Sequence, residues 1–484
     1  MGTAVICAAL PRGLLDSLWA VTGGGEHRVF RRVLIANRGE IALRILRACR
    51  GLGIESVVAH SEADRDAPWL DGADHRVCIG PAAAAASYLN QDAILQAAEQ
   101  EGCQAIHPGY GFLAENATFA ARCEQQGLTF IGPPAGAIRR MGDKASAKRT
   151  MARSGLPTIP GSSEVLAGPD EALAEAERLG YPVLLKASAG GGGKGIRACS
   201  DPSRLRAAFT EAARESAKAF ADPALYLEKF IGGARHIEFQ VLVDAYGSAV
   251  HLGERECSIQ RQHQKLIEEA PSPAVGEQER QETGRLVAQV VAAFGYRGAG
   301  TVEFLRAPEG RLFFMEMNAR LQVEHPLTEV LTGVDLVAEQ FRIAANRPLE
   351  LRQSAIRFDG HALEFRINAE DPANGFRPDP GLIRRFQAPA ADLPGVVVRW
   401  DSAIREGYRI PPHYDSLIGK LIVKAPDRAR ALEGSRRALN NLVIEGVCTT
   451  LDLHLRLLDD PGFRAGLYDT GHLQAIGIGE VGRA

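Results

Sequence analysis

In the stretch FFMEMNARLQVEH, every even position from Glu316 to Glu324 is polar (Glu316, Asn318, Arg320, Gln322, Glu324) and every odd one apolar. Alternation of period two predicts an extended segment with one polar face. The sequence just before it, GTVEFLRAPEGRLFFMEMN, predicts a β-hairpin turning at Pro308-Glu309-Gly310. With Glu309 and Gly310 as the two loop residues, position 303 faces position 316, and both are glutamates. Like charges opposed across a ladder destabilise it, so something positive belongs between them. Mg²⁺ or Mn²⁺ would serve: such an ion prefers one or two carboxylates plus substrate phosphate oxygens, and Asn318 on the same face adds an oxygen. Farther along, an arginine beside a carboxylate (Arg320, Glu324) suits a small oxyanion that is gripped and then deprotonated. A solvated face of glutamates and ordinary salt bridges are the competing readings.

A second feature seeks phosphate. Ser188-Ala189-Gly190-Gly191-Gly192-Gly193-Lys194-Gly195 contains four successive glycines, whose N–H groups can close on a phosphate without obstruction by Cβ. It is not a Walker A loop, because Gly195 stands where Ser or Thr would follow the lysine. A flexible linker is the alternative. Yet the loop follows an apolar strand, YPVLLKAS, and Lys186 in that strand needs an anion or carboxylate to meet it. Downstream, Arg261, His263 and Lys265 alternate with Gln260, Gln262 and Gln264. If extended, this row presents a cationic face, either solvated or directed at phosphate or bicarbonate.

The 484 residues suffice for about three domains. A net charge of −3 removes any basic bias toward nucleic acid, and no apolar run approaches the roughly 20 residues of a membrane helix. Eight scattered cysteines without zinc spacing point to a reducing, cytoplasmic setting. Residues 1–28 lack both a basic n-region and Arg/Ser richness, so they read as a disordered extension or a misplaced start codon rather than a targeting signal. From residue 29, RRVLIANRGEIALRI and the following segments alternate strand, turn and helix, with Ile41, Ile45 and Ala48 on one stripe. That predicts a doubly wound, Rossmann-like domain over 29–142, although its first turn is not G-x-G-x-x-G. Antiparallel α+β structure follows to about residue 330, and another α+β segment closes the chain.

These features together resemble the ATP-grasp superfamily, and within it biotin carboxylase. The resemblance is carried by VLIANRGEIALRI, AIHPGYGFLAEN, MGDKASAK, KASAGGGGKGIR, RHIEFQVL, CSIQRQHQK, EMNARLQVEHPLTE, EFRINAEDP and YDSLIGKL, in the family's order across nearly the whole chain. It implies a multidomain α/β and α+β chain: an N-terminal domain over 29–142, an ATP-grasp domain over 143–350 with a mobile Gly-rich lid near 159–231, and a C-terminal domain over 351–473. By the same resemblance, Lys144, Lys186 and His236 meet the ATP phosphates, and Gly192 and Gly193 close over them. Glu228 and Lys229 lie at the adenine, and Gln260 and His263 at ribose or phosphate. Glu303, Glu316 and Asn318 hold the metal. Lys265, Arg320, Gln322, Val323 and Glu324 form the bicarbonate pocket, with Glu324 as base, and Arg366 near Tyr110 stabilises the biotin enolate. Ala189, Gln262 and Phe365 depart from the family's usual residues.

The implied reaction is ATP- and bicarbonate-dependent carboxylation of biotin through carboxyphosphate. It is the first half-reaction of an acyl-CoA carboxylase, with acetyl-CoA and fatty acid biosynthesis placed first. Biotin is carried on a Met-Lys-Met turn, and none of the five methionines adjoins a lysine. The expected partners are therefore a separate biotin carboxyl carrier protein, carboxyltransferase subunits and, by family, a second copy of this chain. The rival readings are another ATP-grasp ligase and a regulatory, non-catalytic nucleotide-binding chain.

Overall fold

The computed structural model describes residues 29–162, 164–188, 196–220, 222–389 and 394–478. The expectations for the N-terminal extension, Ala189, Gly192 and Gly193 lie outside these residues.

The first unit is a five-stranded parallel sheet. Its strands are β1 (Arg32–Ile35), β2 (Glu55–His60), β3 (His75–Cys78), β4 (Ala105–His107) and β5 (Thr129–Phe130), in the order β3-β2-β1-β4-β5. The change of direction beside β1 is that of a doubly wound sheet. The helix Gly39–Gly51 follows β1 and buries Ile41, Ile45 and Ala48 against the sheet, the stripe that the 3.6-residue period predicts.

A small antiparallel sheet of β6 (Val183–Ala187), β7 (Ile196–Cys199) and β8 (Leu225–Lys229) forms a separate unit in the order β7-β6-β8. The helices Pro169–Leu179 and Pro202–Phe220 pack on it around a core of their own.

The remaining long strands are β9 (Arg235–Val243), β10 (Ala249–Arg261), β11 (Gln264–Ala270), β12 (Gly298–Arg306), β13 (Leu312–Asn318), β14 (His361–Asn368) and the pair Val397–Ser402 and Leu417–Ala425. All eight join in one antiparallel sheet, beginning β13-β12-β9-β10-β11-β14 and ending with the last two strands. β11 and β14 are hydrogen-bonded neighbours, so the sheet runs unbroken across residue 350. Arg366 on β14 thereby enters the same surface as Lys265 on β11.

Three local expectations change. The polar row does not stay extended to Glu324: β13 ends at Asn318, and Glu324 caps the helix His325–Thr332. The odd residues Ala319 and Leu321 are buried nonetheless, but so are Asn318, Gln322 and Glu324, so the row does not divide into a buried and an exposed face. The row Arg261, His263, Lys265 is not one strand either. Gln262 and His263 have φ of 48° and 66° and turn β10 back onto β11, pairing Gln260 with Lys265, as a two-residue hairpin requires. The β12–β13 turn has three loop residues, closed by the Ala307 N–H donating to the Arg311 carbonyl and the Gly310 N–H donating to the Ala307 carbonyl. A three-residue loop alone would oppose Glu303 to Met315. A β-bulge after Glu303 absorbs the extra residue and restores the Glu303–Glu316 pairing.

The parallel unit is tied to the C-terminal segment by Arg38. Its guanidinium donates from Nε and Nη2 to Asp64, each at 2.8 Å, and lies over the rings of Trp69 and Tyr414 at 5.1 and 4.2 Å. Asp64 is fully buried, so removing the arginine strands an unpaired charge. Arg38→Ala is expected to lower the unfolding free energy by about 3 kcal/mol, measured as the shift in urea midpoint at constant slope.

Candidate active site

One ammonium group organises the site. On β9, alternation turns His236, Glu238 and Gln240 to one face while Ile237, Phe239 and Val241 enter the core. On β11, Lys265 reaches over this face, with Nζ 2.6 Å from Glu238 Oε2, 3.1 Å from Glu303 Oε1 and 2.6 Å from Glu324 Oε1. Burial alone would depress its basicity, but Glu238, Glu303 and Glu324 outweigh burial and hold it well above the usual lysine range.

Glu324 is 2% exposed. Its second oxygen accepts from Arg366 Nη2 at 2.9 Å. Burial favours its neutral form, yet Lys265, Arg366 and Arg255 prevail and keep the carboxyl well below its ordinary range. Its buried carboxyl is therefore held toward the ionised form. Arg366 also donates from Nε to Glu268 Oε1 at 2.7 Å.

Glu303 is held from several sides. Its Oε1 accepts from Asn318 Nδ2 at 2.8 Å and Gln322 Nε2 at 2.7 Å, and its Oε2 lies 3.1 Å from His236 Nε2. Burial opposes protonation of His236, and Glu303 more than offsets it, so the imidazole is shifted upward. Glu316, the cross-strand partner of Glu303, and the Asn318 oxygen complete a set of hard oxygen donors that suits Mg²⁺ or Mn²⁺. His236, Glu238 and Glu303 also bring ligand atoms within 4.8 Å of one another. Arg320 donates to Asn318 Oδ1 and to Glu115 Oε2, each at 2.8 Å.

A second cluster lies on the small sheet. Lys186 Nζ donates to Glu228 Oε2 at 2.5 Å and Lys148 Nζ to Glu228 Oε1 at 3.1 Å. The lysine in the apolar strand has thus met a carboxylate. Burial would raise Glu228, but Lys186 and Lys148 lower it below the usual value. Lys229 Nζ is bound to the carbonyls of Gly180 and Tyr181 at 2.7 and 3.2 Å. Lys144 opens the helix Lys144–Arg153. Gln260 and the exposed His263 stand at the hairpin end of β10.

The parallel unit reaches the same place. Tyr110 Oη donates to Glu40, and Lys420, fully buried, lies 3.0 Å from that carboxylate and donates to the Val323 carbonyl at 2.8 Å. The structure therefore brings Lys265, Gln322, Glu324, Arg366, Glu303, Asn318 and His236 into one contiguous network, with Arg320, Val323 and Tyr110 at its edges.

The chain matches three family descriptions in succession: the biotin carboxylase N-terminal domain at 29–138, the ATP-binding domain of the carbamoyl-phosphate synthase L chain at 143–352, and the biotin carboxylase C-terminal domain at 364–475. It is 52% identical to the biotin carboxylase of Pseudomonas aeruginosa over 447 residues, 92% of this chain and 98% of that one. The chain belongs to the biotin carboxylase family. Membership makes it an ATP-dependent ligase with an ATP-grasp centre. It is also 49% identical to a pyruvate carboxylase subunit from Methanothermobacter thermautotrophicus over 438 residues, 90% of this chain and 88% of that one. Among solved structures, it superposes with a TM-score of 0.89 on the biotin carboxylase domain dimer of 2-oxoglutarate carboxylase from Hydrogenobacter thermophilus, a complex with MgADP, ADP and bicarbonate. The two are 48% identical, covering 93% of this chain and 98% of that one.

Several residues of this biotin carboxylase centre escaped the sequence reading. Arg255, wholly buried, donates to Glu238, Gln240, Gln322 and Thr328 and so braces both sides of the pocket. Glu238, Glu115, Lys148 and Lys420 are the others. Glu238 had a signal, since His236, Glu238 and Gln240 alternate through RHIEFQVL. Arg255 had none, because GERECSIQR carries charges on both faces of its strand.

The ion pairs set a pH dependence. A carboxyl held low in the fold stabilises the folded state above its unfolded value and loses that contribution as pH falls toward the folded one. Lys265→Met leaves three buried carboxylates under-compensated and is expected to cost about 3–5 kcal/mol at neutral pH. In the variant these carboxylates, buried without their cation, protonate at higher pH than in the native chain, so the gap between native and variant urea midpoints should be widest at neutral pH and above and narrow as pH falls.

Proposed function

We propose that Glu324 is the general base of an ATP- and bicarbonate-dependent carboxylation of biotin, and that the biotin is carried on a separate protein. The observation that carries this assignment is the buried Glu324 carboxyl, held toward the ionised form, clasped between Lys265 and Arg366 and adjoining the Glu303 cluster. ATP, Mg²⁺ and bicarbonate are the small molecules of the reaction, as in the relative solved with MgADP and bicarbonate.

The chemistry follows from the charges. Bicarbonate is an anion, and Lys265 and Arg320 supply the cations to hold it while Gln322 offers an amide. As Lys265 and Arg366 turn to substrate oxygens, Glu324 loses the partners that depress its basicity and becomes a stronger base. It takes the bicarbonate proton, and the resulting oxyanion attacks the γ-phosphorus of ATP, breaking its bond to the bridging oxygen and releasing ADP. Lys186, Lys144 and His236 spread the charge developing on the phosphoryl oxygens. Glu303, Glu316 and Asn318 would hold the divalent ion, which neutralises the phosphates. The carboxyphosphate so formed breaks into CO₂ and phosphate. Phosphate removes the N1′ proton of biotin while Arg366 stabilises the ureido oxygen, and the enolate captures CO₂. Exclusion of water matters, because carboxyphosphate hydrolyses. Glu228 and Lys229 are assigned to the adenine side, and Gln260 and His263 to the ribose and phosphates.

As acceptor for the assembled enzyme we propose acetyl-CoA, reached through a biotin carboxyl carrier protein and carboxyltransferase subunits, with this chain as a homodimer in the cytoplasm. The identity to a chain named simply biotin carboxylase is 52%. Relatives named for pyruvate and 2-oxoglutarate are nearly as similar, so the choice of acceptor rests with the partner subunits. No helix among the described residues is long and apolar enough to cross a membrane. Carboxylation of acetyl-CoA by the assembly isolated with this chain supports the assignment. Carboxylation of pyruvate alone overturns it.

The primary test measures ADP release and acid-labile fixed carbon with MgATP, with and without bicarbonate and free biotin. Both should depend on bicarbonate, and biotin should accelerate ADP release; turnover indifferent to both points to another ATP-grasp substrate. Glu324→Gln is expected to lower bicarbonate-dependent ATP cleavage by about 10²-fold or more, with MgATP affinity near native. Arg366→Ala should spare that cleavage while reducing carbon fixation on biotin, read in the same assay. Equal loss of both would remove Arg366 from the enolate role.

A further inference from the structure

Beside Arg366 stand two glutamates that the chemistry above leaves unused. The register of β11 and β14 sets Glu268 directly opposite Glu364. Both are fully buried. Glu268 Oε1 takes the Arg366 guanidinium, with Nε at 2.7 Å and Nη2 at 2.5 Å, but its Oε2 has no hydrogen-bond partner among the described residues. Neither oxygen of Glu364 has one.

The charged groups around the pair are already engaged. Lys420, across the ladder on Leu417–Ala425, is bound to the Val323 carbonyl and to Glu40, which also accepts from Tyr110. Arg366 on β14 divides its donors between Glu268 and Glu324. Lys265 on β11 faces Glu238, Glu303 and Glu324. Among the described residues, no cation remains for a second carboxylate in this place. Two ionised glutamates opposed across a ladder repel one another, and a buried carboxylate without a hydrogen bond is more readily protonated than kept charged.

We propose that Glu268 and Glu364 share a single proton, carried by Glu364, and that the one remaining charge, on Glu268, is the positioning device for Arg366. With one charge behind it, the guanidinium is oriented through Nε and Nη2, and the second hydrogen of Nη2 remains for Glu324 or, when bicarbonate engages Glu324, for the ureido oxygen of biotin. With two charges behind it, the guanidinium would be drawn away from both. Burial agrees with this division: it raises Glu268 to about 7, with Arg366 opposing, and raises Glu364 well above the usual carboxyl range.

The inference rests on the assignment of Arg366 to biotin, and its test has one arm that does not. Infrared difference spectra of the full-length chain at neutral pH, native minus Glu364→Gln, are expected to contain the carbonyl stretch of a protonated carboxyl, shifted in heavy water. If Glu364→Gln does not fold, Glu364→Met, uncharged and of similar volume, takes its place. A difference spectrum without that band shows Glu364 ionised and overturns the shared proton. In the second arm, Glu268→Gln is expected to raise KM for free biotin by about tenfold or more, leaving KM for MgATP within about twofold, with partial recovery in Glu268→Asp. Parallel increases in both constants would mark a merely structural role and overturn the positioning claim. Failure of the native chain to fix carbon on biotin refutes the parent assignment and the biotin half of this one, while the infrared band still decides the proton.

Discussion

The ammonium of Lys265 lies within 3.1 Å of carboxylate oxygens from Glu238, Glu303 and Glu324. Those three residues come from β9, from β12 and from the cap of a helix. Each carboxylate is buried and would be costly alone. Their shared cation makes the convergence possible, and Arg255 behind them and Arg366 beside them complete the compensation. Such a network stabilises through its completeness: its members are expensive to remove singly, whatever its net contribution beside an apolar core.

The same charges create a tension that the chemistry can use. A carboxylate held ionised by two cations is a weak base. In the reaction we propose, substrate that recruits those cations strengthens it. Electrostatic order and the proposed reactivity then rest on a single set of ion pairs. The tie from Tyr110 through Glu40 and Lys420 to the Val323 carbonyl extends the set into the parallel unit, so the site depends on packing between units as well as within the central sheet.

Much of the local chemistry was legible in the chain. The facing pair Glu303 and Glu316 followed from hairpin symmetry, and Lys186 in an apolar strand called for an anion or a carboxylate, of which the structure shows the carboxylate of Glu228. The hairpin inference reached the right pair by way of a loop of the wrong length, because the bulge that corrects the register has no distinct signature in sequence. Periodicity also overreached. Alternation past Asn318 signalled burial of Ala319 and Leu321, a condition that an irregular turn satisfies as well as a strand. The row from Arg261 to Lys265 looked continuous because a two-residue turn with positive φ can be made from Gln-His, without the glycine or asparagine that would announce it.

By itself, the sequence determined which groups were available, which family the chain resembles, and which residues share a face across one hairpin, since these depend on composition, motif and short-range periodicity. Only the tertiary structure decided that β11 pairs with β14. That pairing places Arg366 against Glu324, 42 positions away, and sets Glu268 opposite Glu364, far apart in the chain. Nothing local encodes it, because the hydrogen bonds of a ladder are the same whichever strands supply them. The choice is made by burial of the two faces, and in this sheet by which charges can be compensated once water is gone.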